Sequence, residues 1–291
     1  MDFESFMAQA WDDHAADAKA VAQRLSEQGI ALPSTESQLI QLMNLTHHLY
    51  GEHLQDWAQG EASFLPLRTS RLYVDSGDSG GMARRCVASF SLSAKPDFSL
   101  EALTASDQIR VQAMAASNLA SSHPERAMQL LQAALDQAAR SELPTTDPMH
   151  RALAVSSHNL AAALEEKSEL SAEETQLMLM ASQASRTQWE RAGTWLQVER
   201  AEYQLATTFL KAGDLRQAEF HARECGRIVT ENGAPALEQF FAAEALARVM
   251  RAAKNEAAFK AATEHARTAF AGLADDDKAW CEAPLKKLAF D

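Results

Sequence analysis

Apolar residues near the amino terminus recur at three- and four-residue steps, the spacing that places side chains on one face of an α-helix. One such stripe runs through residues 3–25 and a second runs through residues 39–57. Gly29 and Pro33 lie between the stripes, where they interrupt a helix. The pattern therefore predicts an N-terminal pair of helices within residues 1–62.

The pattern changes within residues 63–100, where apolar and polar residues alternate. Leu72 and Val74 alternate with their neighbours, and the same two-residue period runs from Cys86 to Leu92. A turn-rich stretch at 75–81 separates the two runs. Because a two-residue period is typical of a strand with one buried face, we expect a small β-hairpin with a long loop here.

Helical spacing returns at about residue 101 and continues through the rest of the chain. Pro, Gly and Asn interrupt it at intervals, and the loops are only a few residues long, so neighbouring helices should be antiparallel. Apart from the hairpin, the expected fold is therefore all-α. The nine helices that this pattern predicts span about 104–120, 124–141, 147–167, 171–192, 194–212, 214–231, 235–253, 255–273 and 276–289.

Composition supports helices and restricts the possible partners. Pro (8) and Gly (11) are scarce among 291 residues, which disfavours a β-sandwich rich in tight turns. The net charge of −13 disfavours nucleic acid and anionic membranes, because both attract clustered Lys and Arg. The first 60 residues are themselves acidic, which argues against a DNA-reading helix-turn-helix. A basic partner protein would suit this charge.

The cysteines and the amino terminus indicate a cytoplasmic protein. Cys86, Cys225 and Cys281 are far apart and odd in number, so their spacing predicts neither a disulfide framework nor a metal knuckle. The first residues are acidic where a secretory signal is basic, and no run of about 18 apolar residues occurs. We therefore expect reduced thiols, a cytoplasmic location and no membrane association.

Residues 194–232 contain a helix, a Gly-Asp turn and a second helix with alanines at regular positions. This arrangement resembles the tetratricopeptide repeat (TPR). Small residues at such positions let two helices approach closely, and one pair cannot bury its apolar face alone, so the pairs must stack. The matching residues are Leu205, Ala206 and Phe209 in the first helix, Gly213-Asp214-Leu215 in the turn, and Ala218, Ala222 and Cys225 in the second helix.

Weaker matches to the same frame extend this resemblance to about residues 104–275. Like turns recur about every 40–47 residues, a longer interval than the usual repeat. The resemblance implies a TPR-like α-α superhelix, a solenoid of antiparallel helix pairs, at 101–291, next to a helical domain at 1–62 and a hairpin segment at 63–100. A related helical-pair solenoid and a generic helical bundle remain alternatives.

In the tetratricopeptide family the first helix of each pair lines a concave groove, and the resemblance implies the same here. Arg and Asn side chains in the groove could hold an acidic peptide or its terminal carboxylate. The Lys and Asn set of the family's best-known peptide clamp is not reproduced in this chain. The residues that would face the groove are Gln112, His158, Asn159, Arg200, Tyr203, Thr207, Glu244, Arg248 and Arg251.

The pentapeptide Gly-Asp-Ser-Gly-Gly at 77–81 matches the nucleophile segment of trypsin-like serine proteases. That chemistry would make Ser79 the nucleophile, and it also requires a His base, a buried Asp and an upstream β-barrel. The 76 preceding residues predict helices and one strand, the family's His segment is absent, and Met82 follows where that family has Pro. We interpret the match as chance and expect no enzymatic activity.

His48, Glu52 and Asp56 lie at i, i+4 and i+8, which would place them on one helical face with His47 and His53 nearby. A ligand from a neighbouring helix could complete a metal site with this stripe. No His-Glu-x-x-His motif occurs, and a solvated polar face opposite the Leu and Met stripe explains the same residues. We therefore expect no metal or other cofactor, and the stripe remains a secondary candidate.

The leading functional hypothesis is an interaction scaffold or adaptor whose groove binds a peptide or helix of a partner protein. The alternative is a regulatory sensor that encloses a small molecule or signalling peptide inside the superhelix. A pocket closed at both ends would favour the sensor, and an open trough would favour the adaptor. A hydrolase or metalloenzyme ranks third. The hairpin or the N-terminal helices could also mediate a homodimer.

Overall fold

The computed structural model describes residues 1–289, and within them the chain is all-α, without a β-strand. The helices expected after residue 101 are confirmed, each with ends within two residues of the predicted ones. Over this described range, no helix has the length and apolar character needed to cross a bilayer. Besides a 3-10 helix at Gly29–Ala31 and a π-helix at Leu49–His53, the helices are α1 Phe3–Asp13, α2 Ala18–Glu27, α3 Glu36–His48, α4 Trp57–Arg68, α5 Asp78–Ala94, α6 Ala105–Leu119, α7 Pro124–Arg140, α8 Pro148–Glu166, α9 Ala172–Ala192, α10 Trp195–Lys211, α11 Leu215–Glu231, α12 Ala236–Ala252, α13 Glu256–Ala271 and α14 Asp275–Lys287.

Polar side chains determine where several of these helices begin. Asp214 accepts a hydrogen bond from the Gln217 amide at 3.1 Å, and Asn255 accepts one from the Ala258 amide at 3.2 Å. Gly213, just before the first of these caps, has φ +82°, a conformation that favours glycine. The Gly-Asp turn noted in the sequence is thus the boundary between α10 and α11.

The chain divides into two compact units, Met1–Met149 and a second that begins at His150. In the first unit, α5 packs against α3, α4 and α6. Leu42, Phe64 and Phe90 are fully buried at its centre. The sequence predicts domain boundaries after residues 62 and 100. Whether the segments between them fold independently is not tested by these contacts, so the boundaries stay predictions.

The β-hairpin predicted within residues 63–100 is wrong, because this segment contains the end of α4 and the whole of α5. α5 is covered on several sides, so Ser89 and Ser93 are buried together with the apolar residues at 86, 88, 90 and 92, and the alternation of residue type does not mark an exposed face. Its buried serines bond within the helix: Ser89 Oγ donates to the Cys86 carbonyl at 2.8 Å, and Ser93 Oγ donates to the Ser89 carbonyl at 2.7 Å. The homodimer prediction loses its hairpin route, and a homodimer through the N-terminal helices stays a prediction.

The N-terminal helical pair is more divided than predicted. The first stripe forms α1 and α2, and the second forms α3, the π-helix and the start of α4. Asp17 starts α2 by accepting a hydrogen bond from the Ala20 amide at 3.0 Å. Gln55 follows the π-helix with φ +51°, and a residue in that left-handed conformation cannot continue a right-handed helix.

In the second unit, each helix from α9 to α13 contacts the next helix, and α12 also contacts α10 and α14. Contacts between consecutive helices are expected where the connecting loops are short. Ala206, Ala218 and Ala222 are buried in the shared core. Their small side chains allow the helices to approach closely, as the sequence pattern suggested.

Candidate functional site

Eight of the nine residues predicted to face a groove lie on α8, α10 and α12 in the second unit, and the ninth, Gln112, belongs to the first unit. Of the eight, Asn159 is exposed, and Arg251 donates to the Lys287 carbonyl at 2.6 Å. The remaining six are His158, Arg200, Tyr203, Thr207, Glu244 and Arg248.

A polar network connects α8, α10 and α12. The Tyr203 hydroxyl donates to Glu244 Oε2 at 3.1 Å, and an Arg248 guanidinium nitrogen lies 3.6 Å from Glu244 Oε1. On the neighbouring turn, Thr207 Oγ1 donates to Glu165 Oε2 at 3.0 Å. Burial raises the pKa of both Glu244 and Glu165 above the ordinary value for a carboxyl. The network therefore contains buried carboxyl groups whose charge is only partly compensated.

A cavity of about 310 Å³ lies beside this network. One of its walls is aromatic: the Tyr203 and Phe241 rings meet edge to face at 5.7 Å, and the Phe241 and Trp280 ring centres lie 5.0 Å apart. Trp280 is 64% exposed, so this wall borders the solvent. The residues that line the cavity include His158, Glu199, Tyr203, Glu238, Phe241 and Trp280.

Glu199 is the buried carboxyl group in the wall of this cavity. The residue is only 1% exposed, its Oε1 accepts a hydrogen bond from the Cys225 thiol at 2.9 Å, and its Oε2 has no hydrogen-bond partner among the described residues. Burial raises the pKa of Glu199 to about 7, and the thiol hydrogen bond opposes this rise only in part. The cavity wall thus contains a carboxyl group with one acceptor atom unpaired among the described residues, and this group titrates near neutral pH.

Arg200 does not offer a free positive charge at the cavity. Its guanidinium donates to Glu238 Oε1 at 2.7 Å, and a guanidinium nitrogen of Arg248 lies 3.6 Å from Glu244 Oε1. An acidic peptide would therefore have to displace carboxylates that these two arginines already hold. The acidic-ligand chemistry expected from the sequence is disfavoured by these pairs.

Aromatic faces and carboxylates in one cavity favour a positively charged group instead. The negative face of an aromatic ring attracts an ammonium or guanidinium ion, and a buried carboxylate gains most from a charged donor. Tyr203, Phe241 and Trp280 supply the rings, and Glu199 supplies the acceptor. The arrangement is suited to binding an organic cation.

Sequence reasoning identified Tyr203 but missed Glu199, Phe241 and Trp280. Glu199 could have been found, because it precedes Tyr203 by one helical turn and so extends the same face of α10. Trp280 could not, because it belongs to α14, outside the residues 104–275 that carry the repeat resemblance. Only the packing of α12 and α14 brings its ring to Phe241.

The proposed metal stripe has a different geometry in the structure. His48 Nδ1 and Glu52 Oε1 lie 3.2 Å apart, but Asp56 accepts a hydrogen bond from the Gln59 amide and caps α4. The stripe assumed one continuous α-helix, whereas α3 ends at His48 and a π-helix follows. Burial opposes ionisation of Glu52, but the hydrogen bond from His48 and the neighbouring imidazoles lower its pKa.

Ser79 of the protease-like pentapeptide lies in the first turn of α5 and is fully buried. Its hydroxyl donates to Glu36 Oε1 at 2.8 Å, and its amide donates to the same oxygen at 3.0 Å. These hydrogen bonds lower the pKa of Glu36. In this arrangement Ser79 joins the start of α5 to the start of α3.

Comparison of the chain with protein-family models, curated proteins and solved structures finds no match. The resemblance of residues 104–275 to tetratricopeptide repeats therefore rests on the residues described above, and it stays a prediction.

Proposed function

We propose that the chain is a helical-repeat interaction protein of the tetratricopeptide-like kind, and that its second unit binds a segment of a partner protein. The stacked contacts of α10, α11, α12 and α13 and the buried alanines between them support this proposal. The first helices of such pairs, α8, α10 and α12, carry the polar network and the cavity. The partner segment lies along these three helices.

The observation that carries the proposal is the unpartnered Oε2 of Glu199 in the wall of an aromatic cavity. A buried polar atom without a hydrogen bond destabilises a protein, so such atoms in native structures need an explanation. A Lys or Arg side chain of the partner would donate to Oε2 while its stem packs against Phe241 and Trp280. The partner segment is therefore basic.

The overall charge supports a basic partner as well. At −13 the chain attracts positively charged segments over distances of several ångströms and accelerates their encounter, more strongly at low salt. The local pairs Arg200–Glu238 and Arg248–Glu244 keep the arginines near the cavity from opposing this attraction.

The test is a peptide-binding titration with two variants of the protein. A library of peptides with one central Lys or Arg is screened by fluorescence anisotropy, and the best binder is titrated into wild-type, Glu199→Gln and Glu264→Gln proteins. Glu264 is exposed on α13, so its replacement removes a carboxyl group without touching the cavity. We expect Glu199→Gln to weaken binding by about tenfold or more and Glu264→Gln to leave it nearly unchanged.

The opposite results would reject the proposal. If no basic peptide binds, or if both variants lose affinity equally, the cavity is not the recognition site and general charge explains any binding. If acidic peptides bind more tightly than basic ones, the arginines rather than Glu199 recognise the partner.

A regulatory sensor of a small organic cation is the second candidate. The cavity volume of about 310 Å³ lies at the lower end of the range for ligand pockets and would hold a short alkyl amine. Butylammonium and butylguanidinium ions are the probes that separate the two functions. Saturable binding of the free ions at micromolar concentration favours the sensor, whereas binding that requires flanking peptide residues favours the adaptor.

A further inference from the structure

Three histidines from separate segments meet in the first unit. His14 is the C-cap of α1, His48 is the last residue of α3, and His53 ends the π-helix. The ring centres of His14 lie 5.0 Å from those of both His48 and His53, and the latter two are 4.6 Å apart. One ring nitrogen of each residue lies within 4.8 Å of the other two. The three imidazoles therefore surround one point.

The π-helix is what brings His53 to His48. Residues five apart point in different directions on an α-helix, which has 3.6 residues per turn. In the structure the Leu54 amide instead donates to the Leu49 carbonyl at 2.8 Å, the five-residue hydrogen bond of a π turn. As a result the Nε2 atoms of His48 and His53 lie 3.0 Å apart. Single π turns of this kind occur frequently at functional sites.

In two of the histidines, Nδ1 contacts an oxygen acceptor, which orients the ring and leaves Nε2 to face the cluster. The Nδ1 of His14 lies 2.5 Å from the Trp11 carbonyl, and the Nδ1 of His48 lies 3.2 Å from Glu52 Oε1. If each Nδ1 carries the proton and donates it, the lone pair of each Nε2 is available. Carboxylate and carbonyl acceptors behind a histidine are the usual outer partners of metal-binding imidazoles.

The spacing is close to what a metal ion requires. Two imidazole nitrogens bound to one tetrahedral zinc ion are about 3.3 Å apart, because each lies about 2.0–2.1 Å from the metal. The separation of 3.0 Å between His48 and His53 nearly meets this value. The nitrogen of His14, which lies within 4.8 Å of the other two ligand atoms, must approach through a rotation of its ring.

We propose that His14, His48 and His53 bind one divalent transition-metal ion, zinc in the first place. Glu52 and the Trp11 carbonyl hold two of the ligands in orientation. His53 is exposed, so the fourth coordination position faces the solvent and takes water or a group from outside the chain. Three neutral nitrogen ligands select zinc over magnesium, which prefers oxygen.

This site is separate from the function proposed for the second unit, because all its ligands lie in Met1–Met149. Its test therefore uses metal binding alone and does not require a peptide partner. The full-length chain is prepared without a histidine tag, so that only native residues can bind the ion.

The experiment measures zinc affinity by competition with a chromogenic chelator and the metal content by elemental analysis after dialysis. The variants are His53→Gln and His48→Gln, and the matched control is His123→Gln, an exposed histidine of the same unit outside the cluster. We expect one zinc ion per chain in wild-type and His123→Gln, and a Kd weakened by at least about tenfold in the two cluster variants. Magnesium should not compete.

The visible absorption of bound Co²⁺ reports the coordination geometry of the site. Co²⁺ bound by three imidazoles and water in tetrahedral form gives intense visible absorption bands, and we expect them in wild-type and His123→Gln but not in His53→Gln. Because His53 is exposed, its replacement leaves the fold intact even if His48→Gln proves unstable. A wild-type Kd in His53→Gln, or an equal loss in the control, would overturn the proposal.

Discussion

The thiol of Cys225 donates a hydrogen bond to Oε1 of Glu199 at 2.9 Å, which ties a carboxyl group on α10 to a side chain on α11. A thiol is a weak donor, and Oε2 receives no hydrogen bond, so the carboxylate is poorly compensated for the water it has lost. Burial raises the pKa of Glu199 to about 7, and burial raises the pKa of the Cys225 thiol as well. The charge of the cavity wall therefore changes near neutral pH.

The first prediction concerns the stability of the protein between pH 4.5 and 7. Glu199 has a pKa of about 7 when folded and about 4.5 when unfolded, so the folded chain binds more protons across this window. The contribution of Glu199 to stability should therefore fall as the pH rises from about 4.5 to 7, by up to roughly 3 kcal/mol. Glu199→Gln removes this pH-dependent contribution. The free energy of unfolding of the variant in urea should therefore exceed that of the wild type above pH 7.

The control for this prediction is Glu264→Gln, an exposed carboxyl on α13. Its pH profile should parallel the wild-type profile throughout. If Glu199→Gln is less stable than the wild type at pH 8, the buried carboxylate has a stabilising partner that contradicts this account.

The second prediction concerns Glu202, a buried carboxylate with two hydrogen-bonding partners. Its Oε1 lies 2.5 Å from Arg186 Nε, and its Oε2 lies 2.7 Å from His221 Nδ1. Burial alone would raise its pKa, but the hydrogen bonds from His221 and Arg186 outweigh burial and lower it. The carboxylate therefore stabilises the fold above about pH 4.5, and this stabilisation is lost as the pH falls through the lowered folded-state pKa.

Glu202→Gln should accordingly destabilise the protein by roughly 1.5–3 kcal/mol at pH 7, because Arg186 and His221 lose the buried carboxylate that they contact, and Arg186 keeps only Glu190 at 3.5 Å. The difference from the wild type should shrink below pH 4. Urea unfolding of both proteins at pH 7 and pH 3.5 measures the two values. A difference that is independent of pH would show that packing rather than charge explains the loss.

The helices of the second half were predictable from the sequence because their signals are local. Ser171, Thr194, Asp214 and Asn255 each cap a helix, and the apolar spacing between the caps is regular. The hairpin was wrongly predicted in a segment whose burial depends on tertiary packing and not on a local pattern of residues. α5 is buried on several sides, so the one-sided stripe that marks an amphipathic helix is missing.

The two candidate sites depend on contacts that no local pattern encodes. The histidine cluster needs a π turn after His48, and the pattern of side chains there fits an ordinary helix equally well. The third ligand, His14, comes from a distant segment. In the cavity, Glu199 is separated from Trp280 by 81 positions in the chain, and only the fold brings both to the same wall.

The third prediction compares two glycines inside helices. A Cβ added at Gly80 would lie 1.9 Å from the Asp75 carbonyl oxygen, whereas a Cβ added at Gly226 would meet nothing within 4 Å. Gly80→Ala should destabilise the protein by about 3 kcal/mol because backbone must move. Gly226→Ala should stabilise it by about 0.5–1 kcal/mol, since alanine loses less conformational freedom in a helix.

Thermal unfolding followed by circular dichroism measures both effects. We expect a lower melting temperature for Gly80→Ala and a slightly higher one for Gly226→Ala, with unchanged helix content at low temperature. A Gly80→Ala protein that melts like the wild type would mean that the turn between Asp75 and α5 is wider than described.

The last prediction tests whether the aromatic wall contributes to recognition of a positive charge. Trp280 is 64% exposed and its ring contacts Phe241, so Trp280→Ala should leave the fold intact while removing the outer wall of the cavity. A cation at an aromatic face gains about 1–2 kcal/mol, which corresponds to a loss of about 5- to 30-fold in affinity for a basic peptide. Trp280→Phe should retain most of this affinity, because it keeps an aromatic face.

Phe220→Ala is the matched control, since Phe220 is also an exposed aromatic residue of the second unit but does not line the cavity. Isothermal titration with the same basic peptide should give wild-type affinity for this control. Equal losses in Phe220→Ala and Trp280→Ala would mean that the peptide contacts the surface broadly and that the cavity has no special part in binding. A loss confined to Trp280→Ala, rescued by Trp280→Phe, would place the positive charge of the partner against the ring that Phe241 supports.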